Sequence, residues 1–145
     1  MAEKTHRPNY LISTVENKCP RCRTGKLFTH ANPYNLKNTV QMHEYCPVCG
    51  QPTEIETGFY YGTGYVSYAL TVAFSVATFI AWWILIGFSL DDSRFFWWLG
   101  VNAALLILCQ PPIMRLSRSL WLSWFVKYDP NWKENKVEHH ERVVK

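Results

Sequence analysis

Long charge-free stretches dominate the pattern of polar and apolar positions along this chain. Tyr65 to Leu90 run for 26 residues without an acidic or basic side chain, and Phe95 to Met114 add another 20 after the polar turn Asp91-Asp92-Ser93-Arg94. As helices these runs measure about 39 Å and about 30 Å, against a bilayer hydrocarbon core of about 30 Å. A turn that short makes the two helices antiparallel, so both chain ends fall on one side. The pattern predicts a transmembrane hairpin over 65–114, with spans 65–90 and 95–114. The competing reading, two buried helices of a soluble protein, finds nothing else in the chain large enough to cover them.

The flanks are punctuated differently. Residues 1–18 read as an irregular arm, broken by Pro8 and Asn9, whose Tyr10, Leu11, Ile12 and Val15 are free to lie against the membrane or the next module. Residues 19–53 hold four of the five cysteines, with short β-prone pieces at Lys26–Thr29 and Thr39–Tyr45. Residues 54–64 form a junction whose glycines and tyrosines suit a bend at headgroup depth. After the hairpin, Ile113, Leu116, Leu120, Trp121, Trp124 and Phe125 recur near helical spacing, with Arg115, Arg118 and Ser119 opposite. This predicts an amphipathic helix over 115–128, lying along the inner surface with its arginines toward anionic headgroups. Pro111 and Pro112 would supply the sharp turn out of the bilayer. Residues 129–145 read as a polar tail.

Charge assigns the sides. Seven Lys/Arg lie in residues 1–64 and seven in 115–145, with Arg94 alone between them, for a net charge of +4. Basic flanks stay in the cytoplasm, so both termini are expected there. The first ten residues lack the apolar core of a secretory signal, which agrees.

Within the spans, Ala69, Ala73, Ala77 and Ala81 form an every-fourth-residue stripe, and Gly100 and Ala104 share that spacing. Small residues in rows let helices approach closely, here to pack the hairpin on itself or to dock on a larger membrane partner. Asn102 is expected to bond a Ser or Thr across the pair.

The chemistry concentrates in Cys19-Pro-Arg-Cys22 and Cys46-Pro-Val-Cys49-Gly50, which are 23 residues apart. Two such turns facing each other complete a tetrahedron of thiolates, the sequence form of a structural zinc site with Cys19, Cys22, Cys46 and Cys49 as ligands. Binding worth about 10–16 kcal/mol would fold a segment with almost no core. A redox pair or a disulfide is the alternative, although neither turn has the βαβ context of a redox motif. His30 and His43 are near enough in sequence to substitute for a cysteine, but four thiolates already close the shell. Cys109 reads as a small packing residue or, more sharply, a transient copper or haem ligand. Arg21, Arg23 and Lys26 ring the first turn; with the bilayer about ten residues away, anionic lipid is the expected target and nucleic acid is not.

These residues together resemble the bacterial domain-of-unknown-function family 983. The similarity rests on Cys19-Pro-Arg-Cys22-Arg-Thr-Gly-Lys-Leu-Phe28, Cys46-Pro-Val-Cys49-Gly50, Gly58-Phe-Tyr-Tyr-Gly-Thr-Gly-Tyr-Val-Ser-Tyr68 and Arg115-Leu-Ser-Arg-Ser-Leu-Trp121, and spans roughly residues 15–127. The aromatic-rich form resembles members from the Bacteroidetes. The resemblance implies a multi-pass protein of the bacterial inner membrane: an N-terminal cytoplasmic zinc ribbon, a two-helix hairpin, and no established catalytic activity. Proximity of some members to haem–copper oxidase biogenesis genes implies a role beside a respiratory complex. The helices here lack a copper or haem ligand set. The expectation is therefore a non-enzymatic adaptor or accessory subunit of a larger inner-membrane complex, in contact with membrane lipids. The alternative is a metal or cofactor delivery factor.

Overall fold

The computed structural model describes residues 8–89 and 91–137. Its regular elements are α1 (Tyr10–Val15), a 3-10 turn (Phe59–Gly62), α2 (Thr63–Ile86) and α3 (Arg94–Phe125). Residues 1–7 of the arm, Leu90 at the expected end of the first span, and residues 138–145 of the tail with His139 and His140 lie outside the described residues.

α2 and α3 are both long and apolar enough to cross a membrane. None of the residues in the most apolar window of α2 is buried, unlike those of a soluble core helix. The two helices form an antiparallel pair. Asn102 accepts a hydrogen bond from Thr78 Oγ1 (2.9 Å) and donates to Ser75 Oγ (3.3 Å). Phe79 meets Trp98 edge-on at 5.1 Å, and at the other end Trp121 Nε1 donates to the Phe59 carbonyl (2.9 Å). Asn102 therefore bonds both a Ser and a Thr across the pair, as its position predicts.

The alanine stripe does not make this interface. Ala69, Ala73, Ala77 and Ala81 are all exposed, as are Gly100 and Ala104. Spacing alone identifies a stripe; which way it faces depends on the rotation of the helix. Here Ser75 and Thr78, which satisfy Asn102, decide that rotation.

α2 ends at Ile86, four residues before the expected boundary. Gly87, at φ 85°, leaves the helix in a conformation other residues avoid. Arg94, at the start of α3, donates from Nη1 to the Ile86 carbonyl (3.1 Å), and an ion pair with Asp92 (3.7 Å) holds it.

A larger departure lies at Pro111-Pro112. The expected turn out of the bilayer and the separate surface helix over 115–128 are absent; α3 continues through both prolines for 32 residues, about 48 Å. Pro112 cannot donate to the Leu108 carbonyl four residues back. That carbonyl accepts instead from the Tyr34 hydroxyl (3.1 Å), which reaches it from the cysteine module.

The last turns of α3 become the core of the cysteine module. Leu122 is fully buried and Val126 nearly so, in one cluster with Cys19, Cys22, Leu27, Phe28 and Cys46. Trp124 and Phe125 remain exposed, as an apolar side turned toward lipid would leave them, and Phe125 meets Phe59 edge-on at 5.1 Å. α1 packs against the same end of α3: Tyr10 shares a hydrogen bond with Ser123 (2.8 Å), and Ser119 donates to Asn17 (2.8 Å).

Candidate metal centre

Each cysteine pair sits in a tight knuckle built by the same backbone bonds. The Arg23 amide donates to the Cys19 carbonyl (2.7 Å), and the Gly50 amide to the Cys46 carbonyl (2.9 Å). The residue after each second cysteine turns into the left-handed region, Arg23 at φ 56° and Gly50 at φ 70°. Gly50 does this without strain, whereas Arg23 is held there by its side chain. Its guanidinium donates to the Pro8 carbonyl (2.6 Å) and lies 4.1 Å from the centre of the Tyr128 ring.

One-residue bridges close the knuckles. Lys18 pairs with Lys26 around the first, Tyr45 with Pro52 around the second, and Phe28 with Met42 joins the halves. No strand occurs among the described residues. The small β structure expected over 19–53 is thus reduced to isolated pairings, of which Phe28–Met42 joins the two β-prone pieces. The reason lies in the neighbouring carbonyls, which turn toward arginines of α3. Arg115 is almost fully buried and donates to the carbonyls of Thr39 (2.8 Å), His30 (2.9 Å), Ala31 (3.1 Å) and Asn32 (2.9 Å). Its guanidinium also stacks on Phe28 at 4.8 Å. Arg118 donates to the Val40 carbonyl (3.0 Å) and lies over the Tyr60 ring at 4.7 Å. Carbonyls committed to a guanidinium cannot extend a β ladder.

The four sulfurs converge across the two knuckles. Cys19 Sγ is 3.7 Å from Cys49 Sγ, Cys22 Sγ is 3.8 Å from Cys46 Sγ, and all four lie within 4.8 Å of one another. A tetrahedral ion with bonds of about 2.3 Å places its thiolates about 3.8 Å apart, so the donor set and spacing fit a metal ion. All four are free thiols, Cys49 half-buried and the others buried. Hydrogen bonding splits their acidities. The bond to Cys19 is the largest cause that holds Cys22 below the ordinary thiol range and brings Cys46 down to about 6, while Cys19 is pushed up by its bond to Cys22. Crowded sulfurs cannot all ionise without a cation between them.

Neither His30 nor His43 joins this group, and Cys109 stands apart on α3, half-buried. The arginines beside the first knuckle do not form the lipid-facing ring expected of them. Arg21 is buried, and its Nη2 donates to the Asn135 carbonyl (2.9 Å) and reaches Asp129 (3.4 Å). The Asn135 side-chain amide, then the Asn131 backbone amide and Arg21, hold the Asp129 carboxyl below its ordinary range. Arg23 thus holds Pro8 and Tyr128, and Arg21 holds Asp129 and Asn135, beside the knuckle, leaving Lys26 as the exposed member of the three.

Two glycines within the quoted motifs have structural roles that their spacing does not reveal. A Cβ on Gly25 would overlap Cys46 Sγ, and one on Gly62 would overlap the Trp121 ring. The signal for Arg115 was its place at the end of an apolar run, but its partners are backbone atoms some 80 residues earlier, which no sequence pattern marks.

Searched against protein-family models, curated proteins and solved structures, the chain finds no match. The resemblance to family 983 therefore rests on the residues quoted for it alone.

Proposed function

We propose that the chain is a two-span protein of the bacterial inner membrane, with both termini cytoplasmic and one structural Zn2+ held by Cys19, Cys22, Cys46 and Cys49. We further propose that it works as a non-enzymatic adaptor or accessory subunit of a larger membrane complex of respiratory type. The observation that carries the reading is the rigid union of hairpin and metal module. α3 runs unbroken from the apolar region into the core beneath the cysteines, where Leu122 and Val126 pack. A module fixed in this way presents a constant surface at a constant height above the bilayer, as a docking subunit requires. The outward alanine stripe supplies a close-packing face for a partner helix. A four-thiolate shell leaves no open coordination position, which favours structure over catalysis or delivery.

Two experiments test this. Elemental analysis of the purified protein should return one zinc per chain, and an iron-containing, coloured preparation would overturn the metal assignment. Purification from native membranes in mild detergent should bring down a larger complex; recovery only as a lone chain would overturn the adaptor reading.

A further inference from the structure

The segment 31–38, between the two knuckles, is a loop whose tip carries Tyr34, Leu36 and Lys37 at exposed positions. Leu36 is 80% exposed, more than any other aliphatic residue of the cysteine module. Two contacts set the height of this loop along α3. The Tyr34 hydroxyl reaches the carbonyl of Leu108, and the carbonyls of His30, Ala31, Asn32 and Thr39 close around Arg115. Helical side chains lean toward the N-terminus of their helix, so the Arg115 guanidinium lies level with Pro111 and Pro112, below its own Cα. Leu108 is six residues inside the end of the charge-free run at Met114, about 9 Å along the helix. The loop therefore lies beside the last turns of the apolar region rather than above them, and Pro111 is buried there while Ile107, Leu108, Gln110 and Met114 are exposed.

We infer that this loop is seated in the lipid–water boundary of the cytoplasmic leaflet, a third point of membrane contact beside the two spans. Leu36 enters the outer acyl region and Lys37 extends to lipid phosphates, the ordinary partition of these side chains, while the Tyr34 ring lies at the boundary with its hydroxyl turned inward and satisfied there by the Leu108 carbonyl. Arg115 makes the arrangement possible. Its guanidinium occupies the boundary only because four carbonyls and an aromatic face replace its water, and those same carbonyls would otherwise face lipid unpaired. The bilayer is the occupant the geometry selects, because the contact height is fixed against a charge-free helix.

The inference rests on the two-span reading, and the test separates them. The full chain, with its metal, is reconstituted in phosphatidylethanolamine–phosphatidylglycerol nanodiscs, with a keto amino acid carrying a nitroxide at one site, which avoids the cysteines. The sites are Leu36, Val76 within α2, and Glu44 on the exposed side of the module. Collision rates with oxygen, which partitions into lipid, and with a water-soluble nickel chelate are compared. Positions 36 and 76 should favour oxygen over nickel several-fold relative to position 44. A label at 36 that behaves like 44 while 76 stays in lipid overturns the loop assignment and leaves the spans standing. Shielding of 36 from both reagents also overturns it, since protein rather than lipid then covers the tip. A label at 76 that behaves like 44 overturns the two-span reading itself.

Discussion

Gly25 faces the Cys46 sulfur with no room for a side chain. Gly25→Ala therefore forces either the sulfur or the backbone of the first knuckle to move, an overpacking cost of about 1–3 kcal/mol. Since the sulfur belongs to the proposed metal shell, the cost should fall on binding. Chelator competition should show affinity reduced about tenfold or more, by the usual 1.4 kcal/mol per decade; unchanged affinity would place the metal elsewhere. Arg115 is the second residue on which much depends. Arg115→Met takes the donor from four carbonyls, Thr39's at a buried residue and those of His30, Ala31 and Asn32 in part-buried bonds, and should destabilise the protein by about 3 kcal/mol in detergent unfolding. Arg115→Lys should regain only part of that, because one ammonium cannot reproduce a planar fork of donors. If Lys restores full stability, charge alone holds the loop and the geometry described for Arg115 is wrong.

Among the elements, α3 joins the two halves, and its register against α2 is set by one polar group. Asn102 is buried and bonds Ser75 and Thr78. Asn102→Leu should lower the thermal stability of the hairpin by about 1 kcal/mol, within the usual 0.6–2 kcal/mol for such bonds. The substitution should also let α2 rotate, which cysteine-free crosslinking between positions 79 and 98 would detect as lost yield. Unaltered stability and yield would assign the register to the aromatic pair Phe79–Trp98 instead. By sequence, the prolines in α3 predict a break, because each removes a helical hydrogen bond. The helix survives at Pro112 because Tyr34 satisfies the carbonyl that the proline leaves free.

At the scale of the whole molecule, the metal module is an extension of the hairpin rather than a separate bead on it. Its core is shared between the cysteine knuckles and the end of α3, and Arg21 ties residues 129–137 to the first knuckle. Removing the metal should therefore release more than the cysteine segment. After chelation, hydrogen exchange should rise across 19–53, across the last two turns of α3 and across 129–137, while 66–86 and 95–108 keep their protection. Loss of protection along α2 as well would mean that the metal also supports the helix pair. Loss confined to 19–53 would mean that the shared core contributes little.

Whatever depends on local covalent pattern was legible in the chain itself. The two charge-free runs, the antiparallel turn between them, the four cysteines in two knuckles and the polar pairing of Asn102 all follow from spacing and residue type. Hydropathy and ligand geometry act over a few neighbouring positions. The tertiary structure alone decided that the alanine stripe faces outward, that α3 passes through two prolines, that its arginines turn from lipid to backbone carbonyls, and that those carbonyls then fail to form strands. Each of these depends on which distant group supplies a missing hydrogen bond. A proline in a helix or a cation at a bilayer edge is costly or harmless according to a partner that lies far away along the chain.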